Sequence, residues 1–515
     1  MANNNSEKYA ELIARISKKW QSPVWWASYI SSKNRFYPKN EQIIQALTST
    51  QAFEQLNKSS LLKISKDLIL ELARFSKHLA AELFRTTLVK IYFRKKVSGL
   101  LKQSSEQTLL KSFSYDHCFV DHLYQDKFWG ALPEHLENKN EPYFFLVHPV
   151  GNFRTFLKSG SSAPGLFSYQ SFFRYRDLFW IFRDLFKSFF GSFPKLDELE
   201  GEDYSAIMGK IMREEHFAPA VLHSLILYYS MRNLSRRIAL KQVLYIFEGN
   251  YWERLFVKAF RDQCPSTVLT GYQHNIISRA SYNYFLGNSE HQWVPLPDRI
   301  ISTGQKTAQL LSEMGRYGTE TQVIAGCALR YGYLQEQKTL ERTKEKVLLV
   351  AMEGLVQSVA LVDFALEWAG QLSDWKIIIR THPIFPIAKI KPHLKLDLAQ
   401  FQNVEVSANP SLLEDFKAAS VVLYWGSTVA LEAISLGLPV AHLDLPAPTS
   451  PDPLFDLEDY KWVLPAGQNP VEQLEEIHSC RGEKMQQLIA KSSAYIDSYF
   501  GEVNPASLDQ FLAKK

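Results

Sequence analysis

The sequence predicts an α/β protein built from two doubly wound parallel-sheet domains. Short apolar runs rich in Val, Ile and Leu recur along it, the composition of strands buried on both faces. They alternate with stretches of helical spacing, which implies βαβ units. The alternation runs twice, on either side of a charged, apolar-poor segment, Gln335–Lys346, that reads as an interdomain linker. At 515 residues, 46% hydrophobic and 22% charged, the chain can bury two full cores.

The first domain is expected over 1–334, the linker over 335–346 and the second domain over 347–515. Pro23–Ile30 reads as a first strand, and Ser31–Asn34 as a polar turn at its carboxyl end. Ligands of open α/β sheets collect at such ends, so Ser32, Lys33 and Asn34 are candidate acceptor contacts, a solvated loop being the alternative. Residues 40–103 carry helical spacing and read as a helical insertion. Strands follow at Leu109–Tyr115 and Tyr143–Val147, with a helix over Val120–Leu136 between them, and His148-Pro149 closes the second strand. A second helical insertion covers about 172–237. The alternation then becomes regular. Val243–Phe247 is a strand ending in Glu248-Gly249-Asn250, Tyr251–Asp262 a helix, and Thr267–Thr270 a strand ending in Gly271-Tyr272-Gln273-His274. Arg299–Ser302 and Gln322–Ala325 are strands around a helix at Thr307–Met314. In the second domain the strands are Val347–Ala351, Trp375–Arg380, Val404–Val406, Val421–Tyr424, Val440–Leu443 and Trp462–Leu464, and helices at Glu483–Phe500 and Ser507–Ala513 finish it. Two such halves leave a cleft between the carboxyl ends of their sheets, where substrates should meet.

Composition narrows the function. A formal charge of +4 with no basic block between stacking aromatics argues against nucleic acid as a partner. Cys118, Cys264, Cys327 and Cys480 have no CxxC spacing, so neither a zinc site nor a disulfide framework is expected. The start has no signal-peptide pattern, and no run is long and apolar enough to span a bilayer; a cytoplasmic protein is expected. Aromatics reach 13% and concentrate in Leu166–Phe193, which also carries Arg174, Arg176, Arg183 and Lys187. It reads either as a core helix with a basic wet face or as a segment resting on an anionic membrane, at its inner face.

The chemistry centres on Trp425–Val440, which reads as turn, helix and strand after the strand Val421–Tyr424. Gly426-Ser427-Thr428 offers two hydroxyls beside a helix start, where phosphate is favoured. Glu432 lies one turn beyond Thr428 on the same face and could hold the ribose. The alternative is an ordinary strand–helix–strand unit with a hydroxyl cap. Glu248, after a buried strand, is a candidate general base, or a helix-capping carboxylate. In Arg380-Thr381-His382-Pro383 the proline fixes where His382 points. His382 can serve a departing phosphate, and Arg380 can pair with its charge. Glu353-Gly354 would lie near the donor, and Gln273-His274 near the acceptor.

Gly-Ser/Thr-x-x-x-Glu followed by Gly-x-Pro-Val, here Gly426 to Val440, resembles the donor-nucleotide segment of GT-B glycosyltransferases. With the Glu-Gly turn at 248 and the Arg-x-His-Pro at 380, the chain resembles the bacterial sialyltransferases and Kdo transferases, which use CMP-activated acidic sugars. The first half is also similar to bacterial surface-carbohydrate biosynthesis proteins, on Trp25-Trp26, Ser32-Lys33-Asn34, Phe119-Val120-Asp121, Phe128–Pro133 and Phe247–Asn250 with Gly271–His274. The resemblance implies a GT-B-like fold with two Rossmann-like domains facing a cleft. It implies a glycosyltransferase with Glu248 as base, and with His382, Ser427 and Thr428 on the CMP phosphate; with Glu248 and His382 on opposite sides of one sugar carbon, direct displacement would make it inverting. No metal and no cofactor is expected, since such enzymes stabilise the leaving group with protein. The acceptor would be a surface glycan or lipid-linked sugar. The chain departs from the pattern at Phe247, where a second acid is frequent, and at Asn275, where Gly is. Two alternatives remain. One is a GT-B-like epimerase or glycerophosphotransferase using UDP-sugar or CDP-glycerol; the other is a non-catalytic scaffold of a polysaccharide assembly complex.

Overall fold

The computed structural model describes residues 2–34, 37–47, 61–120, 123–334, 339–447, 449–457 and 460–513. The chain divides into two compact units. The first takes Met1–His274, Tyr282–Arg330 and Val503–Lys515, and the second Asn275–Ser281 and Tyr331–Glu502.

The first unit is organised on a seven-stranded sheet in the order β5-β4-β1-β6-β7-β8-β9. Its strands are β1 (Gln107–Ser114), β4 (Tyr143–Pro149), β5 (Leu166–Ser168), β6 (Leu240–Phe247), β7 (Val268–Gln273), β8 (Arg299–Ser302) and β9 (Gln322–Ala325), all parallel. A small antiparallel pair, β2 (Phe119–Val120) and β3 (Leu123–Tyr124), follows β1. The second unit has six parallel strands in the order β12-β11-β10-β13-β14-β15. These are β10 (Val347–Ala351), β11 (Lys376–Arg380), β12 (Val404–Val406), β13 (Val421–Tyr424), β14 (Val440–Asp444) and β15 (Lys461–Pro465). Strand order reverses at β1/β6 in the first sheet and at β10/β13 in the second. Each reversal is a topological switch point, the place where doubly wound sheets open a crevice for ligand.

Each unit has its own core. Leu110, Phe145, Val147, Leu244, Ile246 and Tyr272 fill one face of the first sheet, and Leu348, Val350, Ile377, Ile379, Val421 and Leu423 belong to the second core. Leu508 and Phe511 join the first core. Arg299 binds the carbonyls of Gln510 and Leu512, both at 3.3 Å. The second domain expected over 347–515 therefore ends near Glu502, because its last apolar residues are buried elsewhere. Of the expected linker, 335–338 lies outside the described residues. The remainder is bound to the second unit, Arg342 donating to the carbonyls of Ser420, Ile477 and Cys480 at 3.1, 2.7 and 2.8 Å.

Helices occupy both expected insertions, at Pro38–Ala46, Leu61–Leu100, Asp177–Phe190, Ser205–Glu215 and Pro219–Ser235, residues 48–60 lying outside the described ones. Three expectations are corrected. Pro23–Ile30 is not a strand but two short helices, Pro23–Ala27 and Tyr29–Ser32. Ser22 accepts from Trp25 N–H, and Ser28 from Ser31 N–H, so two serine caps and a proline at the first helical position prevail over aromatic strand propensity. The helix expected over Val120–Leu136 is confined to Leu132–Asn138. Ahead of it the Asp126 carboxylate takes the N–H groups of Phe128 and Trp129 at 2.7 and 3.0 Å and holds a turn. The aromatic stretch also begins with a strand, β5, before its helix.

Candidate active site

At the first switch point β6 ends at Phe247 and the chain turns through Glu248-Gly249-Asn250 into the helix Tyr251–Gln263. The turn is held from inside. The buried Glu253 carboxylate accepts the N–H groups of Glu248, Gly249 and Asn250, each at 3.0 Å. Burial pushes Glu253 up to about 8, and those backbone donors pull the other way. Gly249 has φ +67°, and a Cβ there would stand 2.1 Å from the Asn283 carbonyl oxygen, so only glycine fits.

The Glu248 side chain is thereby presented beside the end of β7. Its Oε1 lies 3.1 Å from His274 Nε2, and its Oε2 accepts from Asn250 Nδ2 at 2.7 Å. His274 is 2% exposed and Glu248 21%, so the imidazole is the enclosed partner and the carboxylate reaches solvent. Burial depresses the His274 pKa, Glu248 opposing it, and the edge-on Phe128 ring 5.0 Å away adds to the enclosure. A neutral imidazole orienting a carboxylate is a construction suited to accepting a proton.

The expected acceptor residues divide. Asn34 joins the cluster, donating from Nδ2 to Asn250 Oδ1 at 3.4 Å. Lys33 does not: its side chain is 0% exposed and its Nζ is paired with Glu290 at 2.7 Å, a structural ion pair. Burial lowers the Lys33 pKa to about 8. Ser32 is likewise buried, its hydroxyl given to the Tyr29 carbonyl at 2.7 Å. Gln273 is fully buried at the end of β7.

At the second switch point Glu353, just past β10, accepts the Gly426 N–H at 2.6 Å and ties the two strand ends together. A Cβ on Gly426 would meet Pro451 at 2.8 Å. Ser427 Oγ accepts from Val429 N–H at 3.3 Å, and Thr428 precedes the helix Val429–Ser435. Glu432, expected on the ribose, accepts from the Tyr333 hydroxyl. Arg380, expected on a phosphate, binds instead the fully buried Asp415 at 3.0 Å and the Asn409 carbonyl at 2.6 Å. A buried carboxylate requires such a partner, so Arg380 braces the end of β11. His382 sits in the turn that follows, closed by the Phe385 N–H on the His382 carbonyl at 2.9 Å. Its Nδ1 accepts from Ile384 N–H at 3.3 Å, which assigns the ring proton to Nε2. A Cβ on Gly354 would stand 3.0 Å from that ring, so the turns carrying Glu353 and His382 adjoin.

Sequence reasoning missed Glu253, Asn250, Asp415 and Tyr333. The Asn-x-x-Glu spacing of Asn250 and Glu253 is a readable capping-box signal, whereas Asp415 and Tyr333 reach their partners only through the tertiary fold.

The aromatic helix buries Ile181 and Leu185 and exposes Phe179 (67%), Phe186 (60%) and Phe190 (73%), so its rings face outward. With Leu72, Phe75 and Leu79 of the long helix, Phe182, Phe186 and Phe190 line an apolar cavity of about 370 Å³. Among the described residues no helix is long and apolar enough to cross a membrane.

No family model and no curated protein sequence matches the chain. Solved structures similar to it include S. aureus MnaA with UDP, at 11% identity over 79% of this chain and 94% of that one, TM-score 0.46. CalG4, the calicheamicin glycosyltransferase, is similar at 12% identity over 80% and 100%, TM-score 0.44. Acinetobacter baumannii MurG is similar at 10% identity over 77% and 97%, TM-score 0.41. The likeness is distant, and the fold assignment rests on the two strand orders. Two Rossmann-type parallel-sheet units are the components of the GT-B-like fold that the sequence predicts.

Proposed function

We propose that the chain is a glycosyltransferase that uses a nucleotide-activated sugar, with Glu248 as general base toward the acceptor hydroxyl. The observation that carries this reading is the Glu248–His274 pair at the first switch point. A proton-accepting group there would be matched by a nucleotide-binding turn, Glu353 with Gly426 to Thr428, at the second. Ser427, Thr428 and the Nε2–H of His382 are donors suited to a leaving phosphate. Direct displacement would invert the anomeric centre. The donor we favour is a CMP-linked acidic sugar of the Kdo or nonulosonic type, on the resemblance of the His382 and Ser427-Thr428 segments. Arg380 supports it only by bracing His382. Thermal shift with CMP, UDP and CDP tests the donor. A rise in Tm with CMP is expected; a rise with UDP alone replaces the donor with a UDP-sugar, and a rise with CDP alone points to CDP-glycerol. No rise with any nucleotide overturns the enzyme reading in favour of the scaffold.

The acceptor is proposed to be a lipid-linked or surface glycan met at the inner face of the membrane. The exposed rings of Phe179, Phe186 and Phe190 are flanked by exposed Arg176, Arg183, Lys187, Arg74 and Lys77, an apolar and cationic pairing that suits an anionic bilayer. Vesicles containing anionic lipid should float the protein at low salt and release it at high salt. Equal flotation by the Phe186→Ser/Phe190→Ser variant would remove this face from the contact.

A further inference from the structure

We infer a second site in the first unit, a cavity of about 230 Å³ beside Glu248 that takes a small anionic group, a carboxylate or phosphate carried by the acceptor. The word acceptor rests on the function proposed above, whereas the anion chemistry comes from the walls. Lys111 and Phe113 on β1, and His148 opposite Phe113 on β4, share one face of the sheet at its carboxyl end. His223 comes from the helix Pro219–Ser235, and Asn250 closes the cavity. Asn250 is also the residue that donates to Glu248 Oε2, so cavity and base share a wall.

The walls offer donors and lack a counter-charge. Lys111 is 1% exposed, and among the described residues its ammonium has one oxygen partner, the Ser112 carbonyl at 2.9 Å. The rings of Phe113 and Trp252, 4.7 and 4.6 Å away, face it otherwise. His148 Nδ1 is shielded from solvent with no hydrogen-bond partner among the described residues. The His148 and His223 rings stand 4.5 Å apart, and the Tyr169 hydroxyl lies 3.1 Å from His223 Nδ1. The carboxylates that act on Lys111 are Glu253, Asp126 and Glu248, and Glu82 acts with Arg85 on His223; none of them lines the cavity. Phe113, His148, His223 and Asn250 are part-exposed, so the cavity reaches solvent while Lys111 lies beneath. Burial lowers Lys111 to about 7 and His223 to about 4, and depresses His148 as well. An anion entering would restore these charges, and its binding should take up protons.

Calorimetry on the full chain with inorganic phosphate, and separately with glucuronate, tests the inference. Saturable binding of at least one of them is expected, at least 10-fold weaker in Lys111→Met and unchanged in Ser427→Ala/Thr428→Ala. At pH 7 the heat should differ between buffers of different ionisation enthalpy. Tyr169→Phe, which removes one hydroxyl, serves as a second variant and should weaken binding should Lys111→Met fail to fold. Phosphate alone binding marks a phosphorylated acceptor, and glucuronate alone an acidic sugar. Saturation by neither anion, or binding lost in the Ser427/Thr428 variant and kept in Lys111→Met, overturns the site. If CMP still raises the Tm while neither anion binds, this inference falls and the donor reading stands.

Discussion

The two switch points occupy the same place in their sheets and are built from different chemistry. In the first, a carboxylate is held by an imidazole and an amide, Glu248 with His274 and Asn250. In the second, a carboxylate is spent on the backbone, Glu353 binding Gly426 N–H, and hydroxyls line the turn instead. The difference teaches that one topology can end in a carboxylate held by side chains and open to solvent, as in the first unit, or in a carboxylate that shapes the main chain, as in the second.

That contrast is most exposed at Glu248. Glu248→Gln keeps the size and the Asn250 contact but removes the proton acceptor. Turnover should fall by roughly 10²–10⁴ while nucleotide affinity stays near wild type. Near-normal turnover would make Glu248 only a turn residue. The complementary variant, Ser427→Ala/Thr428→Ala, should weaken nucleotide binding by about 1.5–3 kcal/mol for each hydrogen bond lost to a charged phosphate. Calorimetry giving unchanged affinity would remove that turn from the donor site.

The units should also differ in acid. His223 is pushed to about 4 by burial, and His148 and His274 move the same way in the first unit. A folded pKa below the ordinary 6.5 means that the unfolded chain binds protons the native unit refuses. The histidine contribution is therefore flat above about pH 6.5 and falls as pH drops toward about 4, by roughly 2–3 kcal/mol for His223. Among the described residues two imidazoles, His442 and His478, are depressed in the second unit, against His148, His216, His223 and His274 in the first, so its histidine loss should be smaller. Scanning calorimetry at pH 7.5 and 5 should show the first unit losing more, and the reverse order would break the comparison. The smallest effect is expected at Tyr333→Phe, which removes the hydroxyl on Glu432, about 0.5–1.5 kcal/mol of unfolding free energy by urea titration. A drop in catalysis larger than that would return Glu432 to the ribose.

Legibility followed the range of the forces. Val347–Ala351 and Val421–Tyr424 were readable to the residue, because a parallel strand buried on both faces is a continuous apolar run. The turns at Glu248, His382 and Gly426 were readable because strands end there. The pairings within them were not. His274 meets Glu248 because β6 and β7 are neighbours, and Lys33 meets Glu290 across 257 residues of sequence. A charged residue after a turn looks the same in sequence whether it faces a substrate or a buried carboxylate, and for that reason Lys33 and Arg380 were misplaced.

Leu508 and Phe511 close the first core, although all of the second unit's Tyr331–Glu502 precedes them in the chain. During synthesis the first unit's strands emerge long before these two residues do. The nascent first unit must therefore wait, with Trp129 and Tyr272 not yet covered by the Phe511 ring, until the second has left the ribosome. Completion of the unit that carries Glu248 is thus tied to completion of the unit that carries Ser427, and a chain stalled in between would leave that first core open.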